Sequence, residues 1–455
     1  MSTAMPPKLY AWMLAGPAPP RLIGQLNRLQ NGDVSLTYCA AWIDSGFALS
    51  ADLPLSPNEY RPRHRRHRQT AAPGALDDAR PDGWGEKVIR ALYRPHGHHL
   101  FDLLYLTGDE RFGALGVSAS ETVYTPFHSG PLPRLEDAQH ISDVAGRIET
   151  GGALTAAQHS LAAAAASLGG AKPKAVIAIN GEQWVLKLFN GEPVDLPLAE
   201  HAAMTLAAKA GIHAAETLPV RLASEHAVAV KRFDRVLDRS MPGAVDGRSH
   251  SPVEHCLHCV SAATVLRAET PEGIAPRYGY PHLARVLRRF ADPRTVDAQL
   301  LELFRRMIFN ILIANTDDHE KNHALIARVS GAQLTLELAP AYDVVPTGSG
   351  ATQHEFLIGE ESREPSLSGA IGGCAHFGLT PHRAANETAA VIAVVNTWQD
   401  HFRACGIPAR DIAELSAVID RADLLQARTS FHADDYADTP PRAGRRARRP
   451  RNPFL

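Results

Sequence analysis

Along the first third of the chain, apolar positions alternate with polar ones over short distances. Residues 8–14, 21–26 and 34–38 are predicted as strands, the last two separated by Asn31-Gly32-Asp33, a hairpin-turn signal. The pattern sharpens after residue 167. A Gly-rich segment, Ser167-Leu-Gly-Gly-Ala-Lys-Pro-Lys174, runs into an apolar strand over 175–179. Asn180-Gly181 then predicts a type I′ turn, and residues 183–189 return as a second strand. A helix is predicted over 198–210, closed by Gly211. Residues 296–314 carry a helical period whose apolar face is Leu300, Leu301, Phe304, Met307, Ile308, Ile311 and Leu312. That helix opens into Asn315-Thr-Asp-Asp-His-Glu-Lys-Asn322. Two strands, 323–329 and 333–338, follow before Ala341-Tyr-Asp343, and the last part is mostly helical.

Composition narrows the class. The chain has 455 residues, 45% hydrophobic and 21% charged, which suits a globular protein of two or three structural units. Its net charge is −2, but the residues from Asp438 onward carry six Arg against one Asp. The acidic remainder gives no reason to expect a general nucleic-acid-binding body. The tail from 438 to 455 is expected to be disordered because Pro, Gly and Arg dominate it. A second basic run, Arg61-Pro-Arg-His-Arg-Arg-His-Arg68, reads as a solvated loop. Five cysteines in so long a chain imply reduced thiols and a cytoplasmic setting, and no apolar run approaches a membrane span.

Three chemical features stand out. Lys187 lies inside an apolar strand, where an ammonium is costly unless paired. Glu200 falls on the apolar face of the next helix with Ala203, Met204 and Ala207, so it is the expected partner. Asp317 and Asn322 share one loop at a spacing of five, the offset between the proton-accepting Asp and the metal-binding Asn in the kinase loop pattern. Asp343 follows the next hairpin, which returns the chain beside that loop. Each residue alone has an ordinary explanation as a snorkelling lysine, an exposed helix glutamate or a turn aspartate. The ordered set is more specific.

The Gly-rich segment, Trp184-Val-Leu-Lys187, Lys231-Arg-Phe-Asp-Arg235, Asn315-Thr-Asp-Asp-His-Glu-Lys-Asn-His323 and Tyr342-Asp343 together resemble the successive motifs of HipA-family kinases. Leu53-Pro-Leu55 and Pro81-Asp-Gly-Trp84 resemble the family's N-terminal region. The resemblance implies an α+β, two-lobed protein-kinase-like (phosphoinositide-kinase-like) fold. Its expected divisions are a β-rich N-terminal subdomain over 1–125, an ATP-binding lobe over 126–250 and a helical catalytic lobe over 251–437. It implies ATP and Mg²⁺ as cofactors, with Asp317 accepting the proton, Asn322 and Asp343 binding metal, and Lys187 binding phosphate. Gly169, Gly170, Ala171, Lys172, Pro173 and Lys174 would cover the phosphates. The backbone around Lys231 and Phe233 would meet adenine, while His319, Lys321 and Tyr342 would line the nucleotide site. Ser167 matches the family's autophosphorylated serine. The implied partners are a HipB-like DNA-binding antitoxin and a protein substrate, an aminoacyl-tRNA synthetase in some members.

Other readings are weighed against this one. His255-Cys-Leu-His-Cys259 invites zinc, but no second Cys or His pair stands at suitable spacing, and a helix start with buried thiols is expected. A Walker-type NTPase is excluded by the absence of Gly-x-x-x-x-Gly-Lys-Ser/Thr. A small-molecule kinase and a nucleotide-binding regulator that docks a DNA-binding partner remain alternatives.

Overall fold

A computed structural model describes residues 5–436 apart from 64–69, 96–98, 129, 190, 239–252, 331–332 and 348–351. The centre of the basic run and the Arg-rich tail therefore lie outside the described residues. The N-terminal part is an antiparallel sheet built from β1 (Leu9–Met13), β2 (Arg21–Arg28), β3 (Val34–Tyr38), β4 (Glu59–Tyr60) and β5 (Leu115–Ser118). Its strand order is β4-β3-β2-β1-β5, so the late strand β5 closes on β1 with Tyr10 opposite Ser118. The sequence had not marked β4 or β5. Nor had it marked the helices Trp84–Tyr93 and Leu100–Leu106, which lie between these two strands.

A second sheet carries the site. Its strands are β6 (Lys174–Ile179), β7 (Glu182–Leu188), β8 (Thr217–Arg221) and β9 (His226–Lys231), in the order β6-β7-β9-β8. Asn180 and Gly181 both have positive φ, as a type I′ turn requires, and this fixes the register that places Lys174 opposite Lys187. The helix Leu196–Lys209 crosses behind the sheet. Asp195 caps it by accepting from the Leu198 amide at 3.2 Å, and Gly211 follows its end at φ +75°.

Beyond this lie a ribbon, β10 (Arg235–Asp238) with β11 (Val253–Cys256), and a three-stranded sheet of β12 (Cys259–Ser261), β13 (Ala324–Ser330) and β14 (Gln333–Leu338). The thiol-bearing segment thus contains two short strands, and its helix begins only at Ala262, later than expected. The helix Val296–Leu312 runs through the core of the C-terminal part. Among the described residues no helix is long and apolar enough to cross a membrane.

Two features bind the N-terminal part to the second sheet. Trp84, Val88, Ile89, Leu103 and Leu106 share one apolar core with Ile177, Leu186 and Leu188. The second feature is ionic and fully buried. Arg232 donates to both oxygens of Asp234 at 2.9 and 2.8 Å, and also to the carbonyls of Glu110 and Arg111. Arg235 donates to the carbonyls of Asp109 and Gly113, while the Gly113 amide donates to Asp234 at 2.8 Å. Burial works against the Asp234 carboxylate, but the two guanidinium groups and their hydrogen bonds hold its pKa down at about 2.

Candidate active site

Lys187 is the hub. Its ammonium donates to Glu200 Oε1 and to Asp343 Oδ1, both at 2.6 Å. Burial disfavours the ammonium, but Asp343 and Glu200 outweigh it and raise its pKa. Glu200 is completely buried, and its second oxygen has no hydrogen-bond partner. Asp343 keeps 41% of its side chain exposed, so it is the member that faces the cleft. Lys187 and Lys174 hold its carboxyl down at about 2 against desolvation. Asp343 has φ +60°, a left-handed conformation that costs a non-glycine residue about 1–3 kcal/mol and collects at functional sites.

Lys174 adds a second cation. Burial is the main cause that lowers its pKa, with Lys187 next. Like charges directly across a strand pair are destabilising, so the two lysines call for anions between them. Glu200 and Asp343 provide part of that need.

The catalytic-loop candidate separates two neighbouring carboxylates. Asp318 is buried: it accepts from Tyr280 Oη at 2.5 Å, and its other oxygen lies 3.0 Å from His323 Nε2. Asn310 in turn donates to Tyr280 Oη at 2.9 Å. Asp318 thus holds the loop from beneath. Asp317 is exposed above it, and partial desolvation raises its pKa; His319 opposes this rise and Asp343 reinforces it. The Asn322 side-chain Nδ2 donates to the Asp317 carbonyl at 3.4 Å, which folds the loop back on itself. His319 Nδ1 accepts from the Lys321 amide, and Tyr342 Oη donates to the Lys321 carbonyl at 2.6 Å.

The remaining expected residues scatter more. Phe233 stacks on Tyr342 with ring centroids 5.3 Å apart. The Lys231 amide is engaged by the Glu216 carbonyl, and its ammonium pairs with Glu182 at 2.8 Å. In the Gly-rich segment, Gly170 has φ +91° and Ala171 is exposed, while the Pro173 carbonyl accepts from Leu188. Lys172 turns aside to Glu192 and the Phe189 ring, so it does not converge with Lys174 and Lys187. Ser167 is buried, and its hydroxyl has no hydrogen-bond partner. Among the described residues, no group of three or more His, Cys, Asp and Glu side chains is arranged to hold a metal.

Sequence reasoning missed Asp82, which reaches into the site from the N-terminal part. Its carboxylate accepts from the Gly170 amide at 2.5 Å and pairs with the Lys321 ammonium. The turn Pro81-Asp-Gly-Trp84 was the available signal, because a carboxylate before glycine and tryptophan is poised to cap a neighbouring backbone.

The sheet with its hub lysine, the helix glutamate behind it and the loop in front define a protein of two-lobed, kinase-like architecture. Residues 18–118 match the HipA N-terminal domain and residues 166–405 the HipA-like C-terminal domain; the chain belongs to the HipA family. It is similar to two proteins of Sinorhizobium fredii (strain NBRC 101917 / NGR234), both named provisionally as kinases. Y4mE is 26% identical over 72% of this chain and 75% of its own length; Y4dM is 29% identical over 37% and 38%. The fold is also that of HipA from Shewanella oneidensis MR-1, solved with HipB and its operator DNA. The TM-score is 0.63 at 17% identity, covering 94% of this chain and 97% of that one.

Proposed function

We propose that this HipA-family protein is an ATP- and Mg²⁺-dependent serine/threonine protein kinase of the cytoplasm, acting on a protein hydroxyl and on its own Ser167. The observation that carries the reading is the shared Lys187, held by a buried Glu200 and a cleft-facing Asp343 with Lys174 opposite. A buried and a half-buried lysine beside an open carboxylate suit a triphosphate and a hard cation. The oxygen-donor set of Asp343 and Asn322 fits that use.

In this reading Lys187, Lys174 and the Gly169–Gly170 backbone would bind the phosphates, and Asn322 and Asp343 would hold magnesium. The cation would neutralise charge on the phosphates. Phe233 and Tyr342 would flank the base. Asp317 would take the proton from the acceptor hydroxyl as its oxygen bonds to the γ-phosphorus and ADP departs. The desolvation that raises the Asp317 pKa makes it a better base than a free aspartate.

By family analogy, the chain would be the toxin of a toxin–antitoxin pair with a HipB-like DNA-binding partner, as in the Shewanella complex. Its protein substrate would be of the aminoacyl-tRNA synthetase kind. The test is incubation with Mg-ATP followed by mass spectrometry, then phosphoproteomics of cells expressing wild type or Asp317→Asn. Phosphate on Ser167 and on a protein target in the wild type alone is the expected result. Equal phosphorylation by the two proteins would sink the assignment.

A further inference from the structure

The Gly-rich segment is hydrogen-bonded to the N-terminal part through one turn. Asp82 Oδ1 accepts from the Gly170 amide at 2.5 Å, and the Trp84 amide donates back to the Gly170 carbonyl at 2.8 Å. The Trp84 indole also donates to the Lys174 carbonyl at 2.9 Å. Asp82's other oxygen pairs with Lys321 of the catalytic loop. One carboxylate therefore ties together three separate parts of the chain.

Steric fit supports a built contact. A Cβ on Gly83 would lie 2.5 Å from the Gly170 carbonyl oxygen, and one on Gly169 would lie 2.5 Å from Asp82 Oδ1. Gly83 (φ +48°) and Gly170 (φ +91°) both sit where L-residues are strained. Glycines at these positions permit the two backbones to approach. Burial disfavours the Asp82 charge, yet Lys321 and the hydrogen bonds from Lys321 and Gly170 hold its pKa down, so the carboxylate is ionised when the contact forms.

We infer that Asp82 is a positioning residue, a catch by which the N-terminal part holds the Gly-rich segment closed against Lys321. This rests on the reading of the segment as a phosphate cover. The contact already fixes the segment without any nucleotide, so ATP meets an ordered cover and the cost of ordering it does not fall on binding.

Hydrogen exchange on the full-length, nucleotide-free protein tests the catch without any assumption about catalysis. Asp82→Ala should speed exchange across residues 167–172 about tenfold, with β7 and the Val296–Leu312 helix unchanged. Asp82→Asn keeps an acceptor for the Gly170 amide and should retain much of the protection. Lys321→Met removes the ion pair on the other Asp82 oxygen and, if Asp82→Ala does not fold, serves for the exchange measurement alone, because Lys321 is itself expected to line the nucleotide site. The kinetic counterpart is a rise of about tenfold in KM for ATP with kcat within twofold. Unchanged exchange in Asp82→Ala would overturn the catch. A fall in KM would overturn the positioning role, because Asp82 would then be competing with phosphate for Lys321. If the wild type binds no ATP, the kinase reading fails, while the exchange result still decides the catch.

Discussion

Asp317 and Asp318 are chemically identical neighbours with opposite surroundings, and the site's behaviour follows from that difference. Asp318 is buried under Tyr280 and His323, so replacing it should disturb the loop. Asp317→Asn leaves the loop's packing alone and should lower kcat by about a hundredfold or more, with KM for ATP little changed. Asp343→Asn should instead weaken Mg-ATP binding, measured by titration calorimetry, because a charged ligand to the metal is lost. Because the Asp317 pKa is raised, its base form is lost earlier on acidification than in a free aspartate. The acid limb of the kcat/KM profile should therefore lie above the usual aspartate value of about 3.9 and vanish in Asp317→Asn. Ser167→Ala removes a buried hydroxyl without a partner, so unfolding in urea should show stability within about 0.5 kcal/mol of wild type or slightly higher.

At the scale of elements, the strand and helix that carry Lys187 and Glu200 were legible in the sequence. Asn180-Gly181 fixes the hairpin register, and the helical period puts Glu200 among small apolar residues. Both are local signals. A double-mutant cycle checks the result: after Lys187→Met, Glu200→Gln should cost little, because the glutamate no longer has a cation to lose. The second role of Asp343, as a partner of Lys187, was not legible because 156 residues separate the two. Lys231-Arg-Phe-Asp-Arg235 was legible only in part. Its expected use lay at Lys231 and Phe233, whereas Arg232, Asp234 and Arg235 tie this segment to residues 109–113. Charges alternating next to an apolar strand were the overlooked sign. The folded-state pKa of Asp234, at about 2, lies below its unfolded value, so its contribution is complete above about pH 4 and lost as pH falls toward 2. That contribution is about 2–3 kcal/mol. Asp234→Asn should destabilise the protein by about 3 kcal/mol near neutral pH and flatten the acid side of its stability curve, both measured by urea unfolding.

For the whole molecule, one apolar core contains residues from both sides of the expected boundary at residue 125. Trp84, Val88, Ile89, Leu103 and Leu106 lie before it, yet they pack against the sheet that carries Lys187. Periodicity could not reveal this, since it shows that a helix has an apolar face but not which distant sheet the face meets. Deleting residues 1–118 should therefore leave a product without a cooperative thermal transition, as read by calorimetry, even though both HipA domains are recognisable separately.

That shared core also sets an order of events during synthesis. The first sheet is complete once Ser118 has emerged, but the apolar faces at Trp84–Tyr93 and Leu100–Leu106 must wait for β6 and β7. At about 5–20 residues per second, the roughly 80 residues between the second helix and the end of β7 take about 4–16 s to translate. Throughout that interval a tryptophan and several aliphatic side chains remain uncovered on a growing polypeptide. Arrested nascent chains ending near residue 160 should recruit chaperones and be cut by protease between residues 84 and 106. Chains long enough to expose β7 beyond the exit tunnel should resist cleavage there.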